Sequence, residues 1–249
     1  MEKVWLKSYE KHVPLDVNCD EFNSIIDLFE KSCYDYSDST AYINMGVKLS
    51  YKDLNEKSKA FASFLQNELN MKKGDRLAIM MPNLLQYPIA LFGAMRAGII
   101  IVNVNPLYTA RELEHQLKDS GATAIVILEN FCHVLAECIQ TTPVKHVITT
   151  EIGDMFGFLK QKLVNFVVKK IKKMVPNYIL SSPIPFKKAL NIGTFNTFHP
   201  VTLAHHDIAF LQYTGGTTGI SKGAALSHKN MIANMQQAHA WLNFEPGKE

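Results

Sequence analysis

Short apolar runs that read as strands alternate in this chain with segments of helical period, a rhythm that points to an α/β fold with sheets covered by helices. The run 99–102, Ile-Ile-Ile-Val, is apolar throughout and rich in β-branched residues, as expected of a strand buried on both faces. Runs at 76–80, 123–128 and 146–149 read as further strands. Helices are expected between them: over 22–36 with Asp20 as cap, after Ser50 with Leu54, Phe61, Leu65 and Leu69 on one stripe, and over 84–97 ending at Gly98. Ser50 with Asp53 resembles a capping box, and Thr109 with Glu112 forms a full one for a helix reaching Ser120-Gly121. Residues 40–44 and 47–51 around Met45-Gly46 predict a hairpin.

Composition excludes several classes. With 249 residues, 47% hydrophobic and 20% charged, the chain can bury a sizeable core. The amino terminus has no continuous apolar run and no small-residue cleavage site, so it does not read as a secretory signal, and a cytoplasmic location is expected. The most membrane-like stretch, 80–104, is interrupted by Pro82, Asn83, Gln86, Pro88, Arg96 and Asn103, short of the roughly 20 apolar residues of a spanning helix. It reads as a buried helix and strand. Cys19, Cys33, Cys132 and Cys138 form no Cys-x-x-Cys pair, so neither a zinc site nor a redox couple is indicated.

Chemistry concentrates in Tyr213-Thr214-Gly215-Gly216-Thr217-Thr218-Gly219-Ile220-Ser221-Lys222-Gly223, between a strand expected at 210–213 and another at 223–226. Glycines let backbone N–H groups converge on one concavity, threonine hydroxyls donate to phosphate oxygens, and a lysine supplies a mobile charge. Hydrogen bonds to a charged acceptor contribute about 1.5–3 kcal/mol each. A Walker loop requires its lysine directly after the last glycine, but here Ile220 and Ser221 intervene; Gly-x-Gly-x-x-Gly is not matched either. Ser227 can cap a final helix from His228 to about Trp241, with Met231, Met235 and Ala238 facing inward.

The loop resembles the signature of the AMP-forming acyl-CoA synthetases within the adenylate-forming superfamily, Thr/Ser-Gly-Thr-Thr-Gly-x-Pro-Lys-Gly, with Ser221 in place of the proline. Losing that proline should loosen the loop slightly. Leu49 to Leu54, Gly74 to Asn83, the helix from Tyr87 to Gly98 and Asn103-Val104-Asn105-Pro106-Leu107-Tyr108 follow in family order, so the resemblance covers nearly the whole chain. Tyr-Thr-Gly-Gly-Thr-Thr-Gly and Leu-Leu-Gln-Tyr-Pro-Ile-Ala-Leu-Phe-Gly look most like the bacterial long-chain fatty acid–CoA ligases.

The resemblance implies a fold that is part of a large amino-terminal domain, with mixed and parallel sheets flanked by helices. It implies that 1–249 is the amino-terminal portion of an AMP-binding domain, with a carboxy-terminal domain absent. The implied substrates of the parent enzyme are a fatty acid, ATP and CoA, joined through an acyl-adenylate, with Mg²⁺ held by ligands outside this chain. Thr214, Thr217 and Thr218, with the backbone of Gly215, Gly216 and Gly219, would contact the β- and γ-phosphates; Lys222 would offset pyrophosphate charge, and Lys222 and Thr214 would assist the chemistry. Tyr213 would either pack or line the nucleotide pocket. A homodimeric parent is compatible with the resemblance. By itself the chain is expected to turn over nothing measurable. The rival readings are an adenylate-forming enzyme acting on aryl, shorter acyl or amino acid substrates, and a non-catalytic nucleotide- or membrane-binding module.

His205-His206 reads as a surface pair, and His228 as ordering the junction into the last helix; no Ser-His-Asp or Cys-His arrangement is visible from spacing.

The segment 158–188 breaks the rhythm. It carries eight lysines, from Lys160 to Lys188, and no acidic residue, a local +8 against +3 for the whole chain that leaves −5 on the remainder. Leu159, Leu163, Phe166, Val167, Ile171 and Met174 recur at helical spacing up to Pro176. Such a stripe could pack on the domain with its lysines solvated, or lie in an anionic membrane surface as a peripheral contact on the inner face of the cell membrane. No nucleic-acid motif accompanies the lysines.

Overall fold

A computed structural model describes residues 3–214 and 221–242. Ser24 opens the first helix, α1 (Ile25–Asp35), by accepting from the backbone N–H of Asp27 at 3.1 Å. Asp20 is therefore not the cap: the helix starts later than its apolar pattern suggests, because a serine inside the segment satisfies the first free N–H. Strands β1 (Thr40–Asn44) and β2 (Val47–Ser50) form the expected hairpin. Both turn residues, Met45 at φ 49° and Gly46 at φ 73°, are left-handed, the geometry of a two-residue turn matched to strand twist.

Helix α2 (Tyr51–Asn67) is capped by Ser50, which accepts from Asp53 N–H at 3.0 Å and donates its hydroxyl to the Asp53 carboxylate at 2.9 Å. Strand β3 (Arg76–Met80) is followed by α3 (Gln86–Arg96), whose Pro88 sits in the first turn where its missing N–H does no harm. Next come β4 (Ile100–Asn103) and α4 (Ala110–Ser120), the latter with the full Thr109–Glu112 capping box and left-handed Gly121 after it. Strand β5 (Ala124–Leu128), α5 (Cys132–Cys138) and β6 (His146–Thr150) follow, then α6 (Phe158–Phe166), β7 (Ile184–Pro185) and α7 (Phe186–Phe195). Strands β8 (Ile208–Thr214) and β9 (Lys222–Ser227) lead into α8 (His228–Leu242).

Seven strands form one sheet in the order β7-β6-β5-β3-β4-β8-β9, parallel throughout except for β9, which runs antiparallel to β8 at the edge. Because side chains alternate along a strand, each parallel strand feeds two cores. Leu77, Ile79, Ile101, Val126 and Ile148 face a core completed by α1, α2, α3 and α7. Ala78, Met80, Val102, Ile125 and Ile127 face one completed by α4 and α5. The stretch 80–104 is the interior part of this arrangement, and among the described residues no helix is long and apolar enough to cross a membrane.

Helix α2 is crossed closely by two others at glycines. A Cβ on Gly93 of α3 would lie 2.9 Å from the Ser58 carbonyl oxygen, and one on Gly193 of α7 would lie 1.8 Å from the carbonyl oxygen of Ala60. At the end of α3 the fully buried Arg96 donates to Ser58 Oγ at 3.1 Å and Asn55 Oδ1 at 2.6 Å and pairs with Glu30. A buried guanidinium is tolerated because its donors are met, and it ties α1, α2 and α3 together.

The basic segment departs from both parts of its sequence pattern. Its α-helix ends at Phe166 and continues as a π turn over Val167–Ile171 rather than running unbroken to Pro176. The apolar stripe does not pack on the domain: Phe158, Leu159, Leu163, Phe166, Ile171 and Met174 are all exposed. On α8 the buried residues are His228 and Ile232, with Met231 packed against the core, whereas Ala238 is exposed instead of facing inward.

His228, the first residue of α8, is buried and accepts the Ile25 N–H on Nδ1 at 3.2 Å, so it joins the starts of α1 and α8. Burial holds its pKa below the usual histidine value. Since the unfolded chain binds the proton more readily, this contact stabilises fully above pH about 6.5 and is lost as pH falls from there through the folded pKa. Urea unfolding between pH about 8 and about 5 should show stability falling with acid, and His228→Gln should flatten part of that slope; an unchanged slope would rule the assignment out.

Candidate active site

The hairpin of β8 and β9 carries the glycine- and threonine-rich loop at its tip. Thr214 is paired with Lys222, Tyr213 with Gly223, and Gln212 with Ala224. Directly opposed residues of an antiparallel pair share a face, and neighbours along a strand alternate, so Thr214 and Lys222 project together on the face opposite Tyr213. Both are exposed. Gly215, Gly216, Thr217, Thr218, Gly219 and Ile220 lie outside the described residues.

The loop emerges at the carboxyl end of β8, the end at which open α/β sheets present their ligand crevices. Polar side chains line that edge: Tyr87 donates to Asn103 Oδ1 at 3.0 Å, and Asn103 donates to Gln212 Oε1 at 3.3 Å. The adjacent Gln116 of α4 donates to the Asn103 carbonyl at 2.8 Å.

Tyr213 takes the packing position of its two alternatives. Its ring lies in the core shared with α4, and its hydroxyl donates to Asp119 Oδ2 at 2.5 Å. Burial raises its pKa, and the hydrogen bond to Asp119 adds to the rise, so it is a neutral donor. The ring also explains Gly223: a Cβ there would sit 2.9 Å from two of its carbons, so any larger residue would displace it. The base of the hairpin loop thus rests on a tyrosine–glycine contact between Tyr213 and Gly223.

Ser221, at the position where the resembled motif has proline, donates its hydroxyl to the Thr214 carbonyl at 2.7 Å. That bond joins Ser221 to Thr214 in a way proline, which lacks a hydroxyl, cannot. The ring of His115 meets the Ser221 carbonyl through Nε2 at 3.1 Å. His115 and Asp119 are four residues apart on α4, so one helix face holds both arms of the hairpin. Neither residue is singled out by sequence pattern; the signal available was a pair of polar residues at i, i+4 on a helix that buries Leu113 and Leu117.

Lys222 has no carboxylate partner among the described residues, so its charge is uncommitted. Among the described residues no group of three or more His, Cys, Asp or Glu comes together to hold a metal ion. The cysteines are free; Cys33, Cys132 and Cys138 are buried, with burial pushing the Cys132 thiol up to about 12 and Cys138 to about 11. His205 lies against the Phe22 carbonyl at 2.7 Å, and Asp207 accepts from Lys73 at 2.7 Å, both away from the loop.

The family of AMP-binding enzymes matches residues 29–248. This chain belongs to that family. It is 54% identical over its whole length to a long-chain-fatty-acid–CoA ligase of Escherichia coli O157:H7, of which it covers 45%. It is 52% identical to one from Haemophilus influenzae, covering 97% of this chain and 43% of the relative. The chain therefore spans less than half the length of these relatives. Among solved structures, a long-chain-fatty-acid–CoA ligase from Archaeoglobus fulgidus superposes with a TM-score of 0.70 at 22% identity, over 95% of this chain and 43% of that one. An anthranilate CoA ligase bound to anthranoyl-AMP superposes with a TM-score of 0.66 at 18% identity, over 88% and 37%. At these identities the structures establish the AMP-binding enzymes' fold, a mostly parallel sheet flanked by helices, as the fold of this chain.

Proposed function

We propose that this chain is the phosphate-binding part of a long-chain fatty acid–CoA ligase, a reading carried by identity of more than half over its full length to bacterial ligases of that class. A carboxylate oxygen is a poor leaving group, so the acid is activated first. Its oxygen attacks the α-phosphorus of ATP, the bond to pyrophosphate breaks, and an acyl-adenylate forms. The CoA thiolate then attacks the acyl carbon and AMP departs.

Such chemistry runs on positioning and charge neutralisation. The chain's share is the cradle. Thr214, Thr217 and Thr218 would donate hydroxyls, Gly215, Gly216 and Gly219 would offer backbone N–H groups, and Lys222 would balance the charge that collects on departing pyrophosphate. Thr214 and Lys222 on one face, with Tyr213 bonded to Asp119 behind them, suit that task. Mg²⁺ would accompany ATP, neutralising part of its phosphate charge.

An apolar cavity of about 350 Å³ lined by Phe29, Phe92, Met95, Phe210, Met231 and Met235 lies beside the same strand, with Phe210 on the face of β8 that carries Thr214. Its lining suits an alkyl chain. The deciding experiment is pyrophosphate release by the complete polypeptide with ATP and a panel of acids. Release with palmitate well above that with benzoate or amino acids is expected. Release with benzoate or an amino acid but not palmitate would move the protein to another branch of the family.

A further inference from the structure

Helix α6 is mounted with its apolar side out. Phe158, Leu159, Lys162, Leu163 and Phe166 share one face by helical spacing. The opposite face meets the domain largely through polar groups. Gln161 donates to Asp154 at 3.1 Å, Asn165 accepts from the Gly153 N–H at 2.8 Å and donates to Glu151, and Val164 adds an apolar contact. Lys160 reaches the Met45 carbonyl, and Lys187 donates to Gln161 at 2.7 Å. The π turn then inserts an extra residue per turn, and Lys169 enters between Glu129 and Glu151. These contacts fix which way the helix faces.

A surface helix ordinarily buries its apolar stripe. Here Phe158, Leu159, Leu163, Phe166, Ile171 and Met174 are between 50% and 80% exposed and contiguous along the helix and its extension. A patch of that kind marks a contact with another phase or molecule. Its charges say which. Lys162, Lys170, Lys172 and Lys173 flank the apolar residues, have no carboxylate partner among the described residues, and sit in a segment without a single acid. The Lys162 ammonium lies over the Phe158 ring, 4.2 Å from its centre, so charge and apolar surface adjoin on this face.

We propose that this face, from Phe158 to Met174, docks on an anionic lipid bilayer. A bilayer offers both halves of what the face presents: hydrocarbon for the central side chains and a continuous layer of negative headgroups for the flanking lysines. Each lysine near such a surface multiplies the partition by roughly fivefold, so the four unpaired ones together contribute roughly several hundredfold. The inference stands on this face alone and goes beyond the ligase reading. If that reading holds, the face would set the enzyme against the phase in which long-chain acids dissolve.

The test is co-sedimentation of the complete polypeptide with phosphatidylcholine vesicles made with and without phosphatidylglycerol. Binding is expected only with phosphatidylglycerol and should weaken as salt rises. Lys162→Glu/Lys170→Glu/Lys172→Glu/Lys173→Glu should lower the partition at least about a hundredfold. Phe158→Ser/Leu163→Ser/Phe166→Ser should lower it by at least about tenfold, with the circular dichroism spectrum unchanged because these side chains are exposed. Leu163→Trp reads the face directly: its emission should shift to the blue only when anionic vesicles are added. No wild-type binding, or an unchanged partition in either multiple variant, would overturn the proposal. So would emission already blue-shifted and unmoved by vesicles, which would mean that protein covers the face. Vesicle binding is read without turnover, so loss of the ligase reading and loss of this one are told apart.

Discussion

Lys222→Ala in the complete enzyme should lower acid-dependent pyrophosphate release roughly a hundredfold, equivalent to about 2.7 kcal/mol of transition-state stabilisation. Lys222 opens β9 beside Thr214, is exposed, and pairs with no carboxylate among the described residues. On the function proposed above, an uncommitted ammonium next to a loop of glycines and threonines would neutralise an anion held there. The charge it meets grows as the phosphoanhydride bond breaks, so its removal should appear chiefly in the rate of adenylation. Formation of thioester from preformed acyl-adenylate and CoA, in which pyrophosphate takes no part, should stay near wild type. Lys31→Ala removes an exposed lysine paired with Asp35 at 2.7 Å and should change neither step. Pyrophosphate release by Lys222→Ala equal to that of Lys31→Ala would sink the assignment.

Local chemistry made much of this fold legible in advance. Met45-Gly46 announced a hairpin, Thr109 with Glu112 announced the start of α4, and 76–80 proved to be β3 residue for residue. Each of these depends on neighbours within a few positions. Where the deciding partner is distant, the sequence was silent. The stripe of the basic segment showed an amphipathic helix but not its direction, which is set by Glu129 and Glu151 at the ends of β5 and β6, together with Asp154. Asp20 reads as the cap of α1 in sequence, but Ser24 holds that place; what fixes the start there includes the His228 ring, 203 positions along, which receives the Ile25 N–H. At the loop, glycines, threonines and lysine raise the expectation of a phosphate ligand, yet the supports behind the hairpin, Asp119 and His115, come from a helix about a hundred residues earlier.

Gly193→Ala should be the most destabilising single methyl that can be added to the described part of α7. In sequence Gly193 reads as a liability, a glycine near the end of a helix where alanine is favoured by about 1 kcal/mol. The structure reverses the sign. α7 crosses α2 so closely that a Cβ would lie 1.8 Å from the Ala60 carbonyl oxygen and 2.7 Å from its carbon. Both are backbone atoms of a long helix already held on its other side by Gly93 of α3, so no rotamer change can make room. The helices must separate, and Phe186, Ala189 and Leu190 of α7 lose packing with Phe61 and Phe64. A cost of about 3 kcal/mol or more is expected, which for a chain of this size lowers the melting temperature by about 6–12 °C. Gly157→Ala is the control. Nothing lies within 4 Å of a Cβ there and φ is −60°, so its stability should stay within about 0.5 kcal/mol of wild type. Equal melting of the two variants would show that α2 and α7 do not cross through Gly193, and with that the inner layer of helices that supports one face of the sheet would have to be redrawn.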